Sequence, residues 1–237
     1  MNKGDRPSVG DGIQAAPHNW SFGGDVWRGF DDHIRRSIPF YDQLHELIVG
    51  FATQYVPPEG RVYELGSSTG TLCRKLYQRL DHAQIIGVDS EAAMVKAARS
   101  ASPDAIVYHQ ADLRTFALEP CHFAILCYLL QFIPVSDRLP ILRRAQESLL
   151  PGGALILAEK VKRHDPEFER LCRQVHHDFK RAQGYTEAEI AAKDRSLEGI
   201  LIPLQDTENV QMLYDAGFHS VYPIFHNTSF DAWLAVK

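Results

Sequence analysis

The chain has 237 residues, of which 45% are hydrophobic and 23% charged, and its formal net charge is −5. These values are typical of a soluble globular protein, and the acidic balance argues against direct binding of nucleic acid through a positively charged surface. No apolar run approaches the roughly 18–20 residues of a membrane span, and residues 1–24 lack the apolar stretch of a signal peptide. The scattered cysteines form no CxxC pair and predict reduced thiols in a cytoplasmic protein: Cys73, Cys121, Cys127 and Cys172.

Strand and helix patterns alternate through the first two thirds of the chain. Residues 1–20 predict a flexible leader, and residues 21–57 predict a helical lid that ends at two prolines and a glycine. Strands separated by helices predict parallel βαβ units. The predicted strands span residues 61–66, 83–89, 105–109, 123–129 and 154–159, and the helices between them span 71–80, 91–100 and 136–150.

The alternation stops after residue 160. Residues 161–217 are rich in helix formers and charge and predict a helical insertion between the fifth and sixth strands. Two β-rich runs follow, at 220–225 and 230–236, and the loop between them is too short for a helical crossover, so we expect them to pair antiparallel. The sequence therefore predicts one Rossmann-like α/β domain over residues 21–237, with a seven-stranded sheet that ends in an antiparallel hairpin.

A glycine turn and two acids fall at the ends of consecutive predicted strands. Glu64, Gly66 and Gly70 lie at the end of the first strand, Asp89 closes the second, and Asp112 follows the third. Ligands of doubly wound sheets bind beyond the carboxyl ends of the strands. The glycines let the backbone approach a ligand closely, Asp89 suits the two hydroxyls of a ribose, and Asp112 could meet the amino group of a nucleobase.

These residues favour a mononucleoside over other nucleotide ligands. The chain lacks the GxGxxG fingerprint of dinucleotide sites, and no Gly-Lys-Ser/Thr of a P-loop follows the turn. Glu64-Leu-Gly-Ser-Ser-Thr-Gly70 with an acid closing the next strand resembles the S-adenosylmethionine (SAM) site of class I methyltransferases, as does Pro151-Gly-Gly153 before the fifth strand. The resemblance implies SAM as the cofactor.

A more specific resemblance covers residues 20–237. It rests on Asn19-Trp-Ser-Phe22, Arg36-Ser-Ile-Pro-Phe-Tyr41, Leu130-Gln-Phe-Ile133, Glu159-Lys160 and above all the run from His176 to Ile190. These segments resemble the carboxy-S-adenosyl-L-methionine synthases, which belong to a bacterial pathway that modifies wobble uridine in tRNA. The resemblance implies the methyltransferase fold, a homodimer, and a reaction of SAM with prephenate that gives a carboxylated sulfonium.

Carried over position by position, the resemblance assigns cofactor contacts and shows two departures. Cys127 stands where the family has an asparagine, and Asp194 stands at the arginine that holds the extra carboxylate, with Arg195 beside it. An aspartate repels a carboxylate, whereas a guanidinium binds one through two parallel hydrogen bonds. We therefore expect this chain to be a divergent member of the family that performs another reaction. The implied contacts are Tyr41, Gly66, Ser67, Ser68, Asp89, Ser90, Asp112 and Leu113.

Several further side chains are candidates for the acceptor side of the site. Tyr41 is expected to cover the sulfonium, since aromatic faces attract cations, whereas Trp20 and Trp27 are expected to pack the N-terminal helices. Adjacent histidines on a helix diverge, so we expect no metal site in the His-His-Asp run. The candidate catalytic residues are His176, His177, Tyr185 and Tyr128, and the candidate substrate-binding residues are Lys180, Arg181, Gln131 and Arg195.

Three reactions fit this sequence. The first is methyl transfer to a small-molecule acceptor, in which the protein supplies mainly proximity and alignment. The second is cyclisation of SAM, in which the α-amine attacks its own γ-carbon, expels methylthioadenosine and gives azetidine-2-carboxylate, a reaction of natural product biosynthesis. The third is the family's carboxy-SAM synthesis, with Arg195 in place of the missing arginine. An inactive sulfonium-binding partner protein is the alternative to an enzyme.

Overall fold

The computed structural model describes residues 7–80 and 82–237. The strands are β1 (Arg61–Leu65), β2 (Gln84–Asp89), β3 (Val107–Gln110), β4 (Cys121–Cys127), β5 (Leu149–Lys162), β6 (Leu204–Gln205), β7 (Ser220–Asn227) and β8 (Phe230–Val236). The helices are α1 (Phe30–Ser37), α2 (Tyr41–Tyr55), α3 (Thr71–Arg79), α4 (Ala92–Ala101), α5 (Val135–Ser148), α6 (Pro166–Ala182), α7 (Glu187–Leu197) and α8 (Asp206–Asp215). No described helix combines the length and apolarity that a bilayer span requires.

Seven strands form one continuous sheet in the order β3-β2-β1-β4-β5-β8-β7. The first five pair in parallel, and β8 pairs antiparallel with both β5 and β7. The Rossmann-like α/β fold and its C-terminal hairpin are therefore confirmed. A two-residue strand, β6, adds a short parallel pairing at the far end of β5, and β5 itself is longer than predicted because it begins before the Pro-Gly-Gly turn.

Alternate residues of the central strands face two separate helical layers, as expected for a sheet buried on both faces. Ile125 packs with Leu44 and Leu76, which lie on α2 and α3. Its neighbour Leu126 packs on the opposite face with Leu142, on α5, and with residues of α8. Both faces are therefore covered, and the carboxyl edge of the parallel strands is left to line a site.

The N-terminal segment differs from its prediction as a flexible leader. Residues 1–6 lie outside the described residues, but Val9, Ile13 and Trp20 are buried in a small apolar cluster with Ala192 of α7. The backbone N–H groups of residues 18 and 20 donate to carbonyls of residues 195 and 196, at 2.9 and 3.1 Å. The apolar residues spaced through this glycine-rich stretch attach it to α7, which the helical and strand patterns did not reveal.

Candidate active site

A cavity of about 310 Å³ lies at the carboxyl ends of β1, β2, β4 and β5. This is the edge at which α/β sheets of this kind bind ligands, and the volume falls at the lower end of the roughly 300–1,000 Å³ typical of small-molecule sites. Helices α1 and α2 cover it from one side, and α6 and α7 of the helical insertion cover it from the other. The cavity therefore has one end at the glycine turn after β1 and a second end, the insertion end, at α6 and α7.

The turn after β1 is held tightly beneath the cavity. Gly66 has a positive φ of 85°, and its N–H donates to the Val88 carbonyl at 2.7 Å. A Cβ at this position would come within 2.8 Å of the Leu129 side chain, which also lines the cavity. Gly66, Ser67 and Ser68 all line the cavity, as the sequence predicts for the backbone that approaches the ligand.

Gly70, which the sequence predicts at the cofactor, differs from Gly66 in its position relative to the cavity. It caps α3 in the left-handed conformation, with φ at 78°, and it does not line the cavity. A Cβ there would collide with the hydroxyl of Tyr108, so this glycine makes room for a buried tyrosine. The structure therefore does not bring Gly70 together with Gly66 at the cavity, and it packs Gly70 against Tyr108.

Two carboxyl groups line the cavity beside the turn, that of the buried Glu64 and that of the partly buried Asp89. Asp89 accepts hydrogen bonds from the N–H groups of Ser68 and Glu91, at 2.8 and 2.9 Å, and burial raises its pKa although these bonds oppose the shift. Burial also raises the pKa of Glu64 to about 8, and its Oε2 has no partner among the residues described. Ser90 lies at the same edge, so this end of the cavity has free hydrogen-bonding capacity for hydroxyls.

Asp112 and Leu113 do not line the cavity. The Asp112 carboxylate accepts from the Arg114 side chain, with the shortest contact at 2.6 Å, and its side chain is 42% exposed. This ion pair lowers the pKa of Asp112 and turns the carboxylate towards solvent. The structure therefore does not bring the third predicted acid together with the first two.

The predicted lid covers the cavity and is tied to the glycine turn. Asp31 of α1 accepts hydrogen bonds from the hydroxyls of Thr69 and Thr71, at 2.6 and 3.1 Å. Tyr41, the first residue of α2, lines the cavity and stacks on Tyr128, with ring centroids 6.4 Å apart and planes at 25°. These two rings give the middle of the cavity an aromatic wall of the kind that attracts a cation.

Trp20 and Trp27 have different surroundings. Trp20 packs as predicted, but it also lines the cavity, where it stacks on His33 with centroids 5.9 Å apart and the Lys193 ammonium lies over its ring. Trp27 is half-buried, and the Arg28 guanidinium lies 4.6 Å above it. The cavity is therefore aromatic at both the lid and the insertion.

The turn after β4 forms the cavity floor between the two ends. Cys127, Tyr128 and Gln131 line it. Glu159 of β5 holds this turn, because its two oxygens accept from the N–H groups of residues 130 and 131 at 2.8 and 2.7 Å. Gln131 accepts in turn from the Lys160 N–H at 2.8 Å. The Glu159-Lys160 pair singled out in the sequence therefore holds the turn after β4 at the cavity floor.

Three lysines and one aspartate line the insertion end: Lys160, Lys180, Lys193 and Asp194. Burial lowers the pKa of all three ammonium groups, that of Lys180 to about 8. Asp194 lies 3.7 Å from the Lys180 ammonium, whereas the other two lysines form no ion pair with any described residue. Burial without an anionic partner drives a lysine towards its neutral form, and a carboxylate ligand at this end of the cavity would favour the charged form.

His176 and His177 diverge, as neighbours on a helix do. His176 lines the cavity, its Nε2 contacts the Ser37 carbonyl at 2.8 Å, and burial lowers its pKa well below the ordinary value. His177 does not line the cavity and pairs with Asp194 at 2.9 Å. Only the first of the two candidate histidines is therefore positioned beside a ligand.

Three other predicted site residues lie outside the cavity. Arg195 is exposed on α7 and does not line the cavity, whereas its neighbour Asp194 lines the cavity although its side chain is 42% exposed. Arg181 pairs with Asp178 and Glu187 at the surface. Tyr185 is buried behind the lid. The structure therefore does not bring these three side chains together with the cavity residues, and for Arg181 and Arg195 the reason is the orientation of α6 and α7.

The cavity residues that the sequence did not predict include Asp31, His33, Lys160 and Lys193. Lys160 lies in a pair that the sequence resemblance did single out, and Lys193 directly precedes the departing Asp194, so both had a signal in the sequence. Asp31 and His33 had none, because their side chains reach the cavity only through the packing of α1 onto the sheet.

Comparison with known proteins identifies relatives of this arrangement. Residues 62–153 match the family described as a methyltransferase domain. A carboxy-S-adenosyl-L-methionine synthase of Pseudomonas fluorescens (strain SBW25) is 37% identical over 229 residues, covering 92% of this chain and 93% of that protein. The synthase of Desulfotalea psychrophila is 34% identical over 226 residues, covering 92% of both chains.

Solved structures show the same fold at low sequence identity. A plantazolicin methyltransferase in complex with a triazolic desmethylPZN analog and SAH aligns with a TM-score of 0.64 at 10% identity, over 90% of this chain and 94% of that chain. Human N-acetylserotonin methyltransferase in complex with SAM aligns with a TM-score of 0.58 at 18% identity, and this chain spans 57% of its length. These likenesses concern the fold.

Proposed function

Because this chain belongs to the carboxy-S-adenosyl-L-methionine synthase family and is a SAM-dependent enzyme, we propose that it transfers the methyl group of SAM to a small molecule that carries a carboxylate. The observation that carries this proposal is the pair of lysines, Lys160 and Lys193, which line the insertion end without an anionic partner among the described residues. An acidic acceptor would supply that partner.

At the other end, the proposal places the nucleoside of SAM against the glycine turn. Asp89 retains lone pairs that can accept from two ribose hydroxyls, since each oxygen already accepts only one backbone N–H. The sulfonium would then lie near Tyr41 and Tyr128, where the aromatic faces stabilise its charge. The attacking atom of the acceptor would approach the methyl group in line with the breaking sulfur–carbon bond.

The reaction of the relatives is disfavoured by one substitution. Asp194 lines the cavity where the resemblance places a carboxylate-binding arginine, and Arg195 is turned away. The extra carboxylate of a carboxylated sulfonium would meet this anion. Lys180 and His177 contact Asp194 but contribute no guanidinium fork.

A second candidate is cyclisation of SAM to azetidine-2-carboxylate, which the same aspartate favours. A carboxylate at this end of a small cavity can hold the α-amine of SAM rather than a second acid. The cavity volume of about 310 Å³ also limits the space beside the cofactor. In this reaction the nitrogen–γ-carbon bond forms as the γ-carbon–sulfur bond breaks, and methylthioadenosine leaves.

One mass-spectrometric experiment separates the candidates. The purified protein is incubated with SAM alone, with SAM and a panel of small carboxylic acids, and with SAM and prephenate. S-adenosylhomocysteine that forms only with the acids, together with a methylated acid, supports the proposal. Methylthioadenosine from SAM alone identifies the cyclase, and a carboxylated sulfonium identifies the family reaction. Asp89→Ala serves as the cofactor-site control. A homodimer and a cytoplasmic location stay predictions.

A further inference from the structure

A buried cluster beside the cavity joins the N-terminal segment to the lid. Nδ1 of His33 lies 2.9 Å from the Asp11 carboxylate, and both side chains are almost completely buried, at 4% and 6% exposure. The hydroxyl of Tyr185 also donates to Asp11, as does the Arg36 guanidinium. Asp11 therefore accepts from three donors, which fix the position of its carboxylate.

This contact sets the tautomer of His33. A carboxylate only accepts hydrogen bonds, so the proton of the neutral imidazole lies on Nδ1 and the lone pair lies on Nε2. His33 lines the cavity, and its Nε2 is buried without a partner among residues 7–80 and 82–237. A buried acceptor without a donor is costly, and a ligand that donates to Nε2 would remove the cost.

The backbone around Asp11 is built to hold it there. Gly10 and Asp11 have positive φ angles of 92° and 55° in a tight turn, and the turn is closed by hydrogen bonds between residues 9, 10 and 13. A Cβ on Gly10 would collide with the Tyr185 ring. Arg36 also donates to the Gln183 carbonyl at 3.1 Å, which fixes it beside α6.

We propose that His33 accepts the proton released by the nucleophile that attacks SAM, and that Asp11 is the positioning residue for its imidazole. This assignment rests on the proposed function only in requiring that an uncharged N–H or O–H group attacks a SAM carbon. In methyl transfer, the bond from nucleophile to methyl forms, the sulfur–methyl bond breaks and its electron pair stays on sulfur. The proton passes to Nε2 and leaves to solvent with the product.

The charges around His33 suit a neutral acceptor. Burial, and then the Lys193 ammonium, lower the pKa of His33 to about 4, whereas Asp11 opposes the shift. The other groups that face it are Tyr185, on Asp11, and Lys180. The imidazole thus keeps its Nε2 lone pair throughout the neutral pH range. It takes the proton of an alkylated hydroxyl, which is strongly acidic, whereas from an attacking amine it accepts a hydrogen bond and the proton then leaves to solvent.

Two variants test the assignment. His33→Gln removes the base, and Asp11→Asn keeps the imidazole but offers its Nδ1 an amide donor, which moves the ring proton to Nε2. We expect single-turnover rates on the order of 100- to 10,000-fold lower in both, with SAM affinity in calorimetry changed less than about threefold. The matched controls are the exposed His18→Gln and Asp32→Asn, which we expect to react at the wild-type rate.

Imidazole ¹⁵N spectra give a readout that a purely structural role would not move. Wild-type His33 should show a protonated Nδ1, and Asp11→Asn should show a protonated Nε2. The same rate comparison applies whether the wild type releases S-adenosylhomocysteine or methylthioadenosine, so failure of the proposed function is seen separately in the product. Wild-type turnover by a folded His33→Gln, or by Asp11→Asn with the inverted tautomer if His33→Gln does not fold, overturns the proposal.

Discussion

Asp194 lies 2.9 Å from Nε2 of His177, across the interface of α6 and α7. The same carboxylate faces Lys180 at 3.7 Å. This geometry places an anion, held by two neighbouring bases, at the position where the sequence resemblance expects an arginine. The choice of ligand at this end of the cavity therefore depends on the sign of the charge on one side chain, that of residue 194.

Replacing Asp194 with arginine should change that choice. In Asp194→Arg, the guanidinium can bind a carboxylate in two places, so we expect affinity for a carboxylated sulfonium to rise on the order of 10- to 100-fold. Turnover of the natural substrate should fall. Calorimetric titration with carboxy-SAM and with SAM measures both ligands. Asp178→Arg, at the surface of α6, is the charge-matched control, and equal gains in the two variants would contradict the prediction.

Asp89 and Asp112 should differ sharply as cofactor residues. Asp89→Asn weakens a partly buried acceptor at the cavity edge, and loss of a charged hydrogen bond predicts SAM binding on the order of 10- to 100-fold weaker. Asp112→Asn affects only an exposed pair with Arg114, so SAM affinity should change less than about threefold. Both affinities are measured by calorimetry, with thermal unfolding of the ligand-free variants as the control for folding. Similar losses of affinity in both variants would count against an Asp112 side chain that faces solvent.

The sequence predicted the parts of the site that chain order determines. Gly66 and Asp89 follow directly from the ends of β1 and β2, because parallel strands present their carboxyl ends at one edge. The short loop before Phe230 likewise required an antiparallel hairpin. These positions depend on backbone connections, which patterns of apolar residues and glycines reveal.

The insertion end could not be predicted in the same way. Asp194 and Arg195 are neighbours that point about 100° apart, and only the packing of α7 decides which of them faces the cavity. Tyr185 was expected at the site, but it contacts Asp11 instead. The segment that holds Asp11 offered glycines and polar residues with no helical or strand period, so its packing against α7 depends on contacts between distant parts of the chain.

Binding of an acidic ligand should weaken as pH rises. Burial lowers the pKa of Lys180 to about 8, with Lys160 adding to the shift and Asp194 opposing it. The ammonium form is present below this pKa and is lost as pH rises through it, so affinity for a carboxylate ligand should fall between about pH 7 and pH 9. Titrations across this range measure the decline. Lys180→Arg should flatten it, since a guanidinium stays charged, while the exposed Lys162→Arg should keep the wild-type profile.

Burial raises the pKa of both Glu64 and Glu159 to about 8. We nevertheless expect the thermal stabilities of their glutamine variants to differ. Oε2 of Glu64 has no partner among the described residues. The stability that its protonated form contributes is fully present below the ordinary pKa of 4.5 and is lost as pH rises through about 8. Glu64→Gln has no such loss, so its Tm relative to wild type should be higher at pH 9 than at pH 5.

Glu159 uses both carboxylate oxygens as acceptors for the N–H groups of Leu130 and Gln131. Glu159→Gln turns an amide NH₂ towards one of these donors and leaves it buried without an acceptor, which costs about 1–3 kcal/mol. We therefore expect a lower Tm at both pH values, measured by differential scanning calorimetry on the ligand-free protein. A Glu159→Gln variant as stable as wild type would show that the turn after β4 does not depend on this carboxylate, and with it the positioning of Gln131 at the acceptor end.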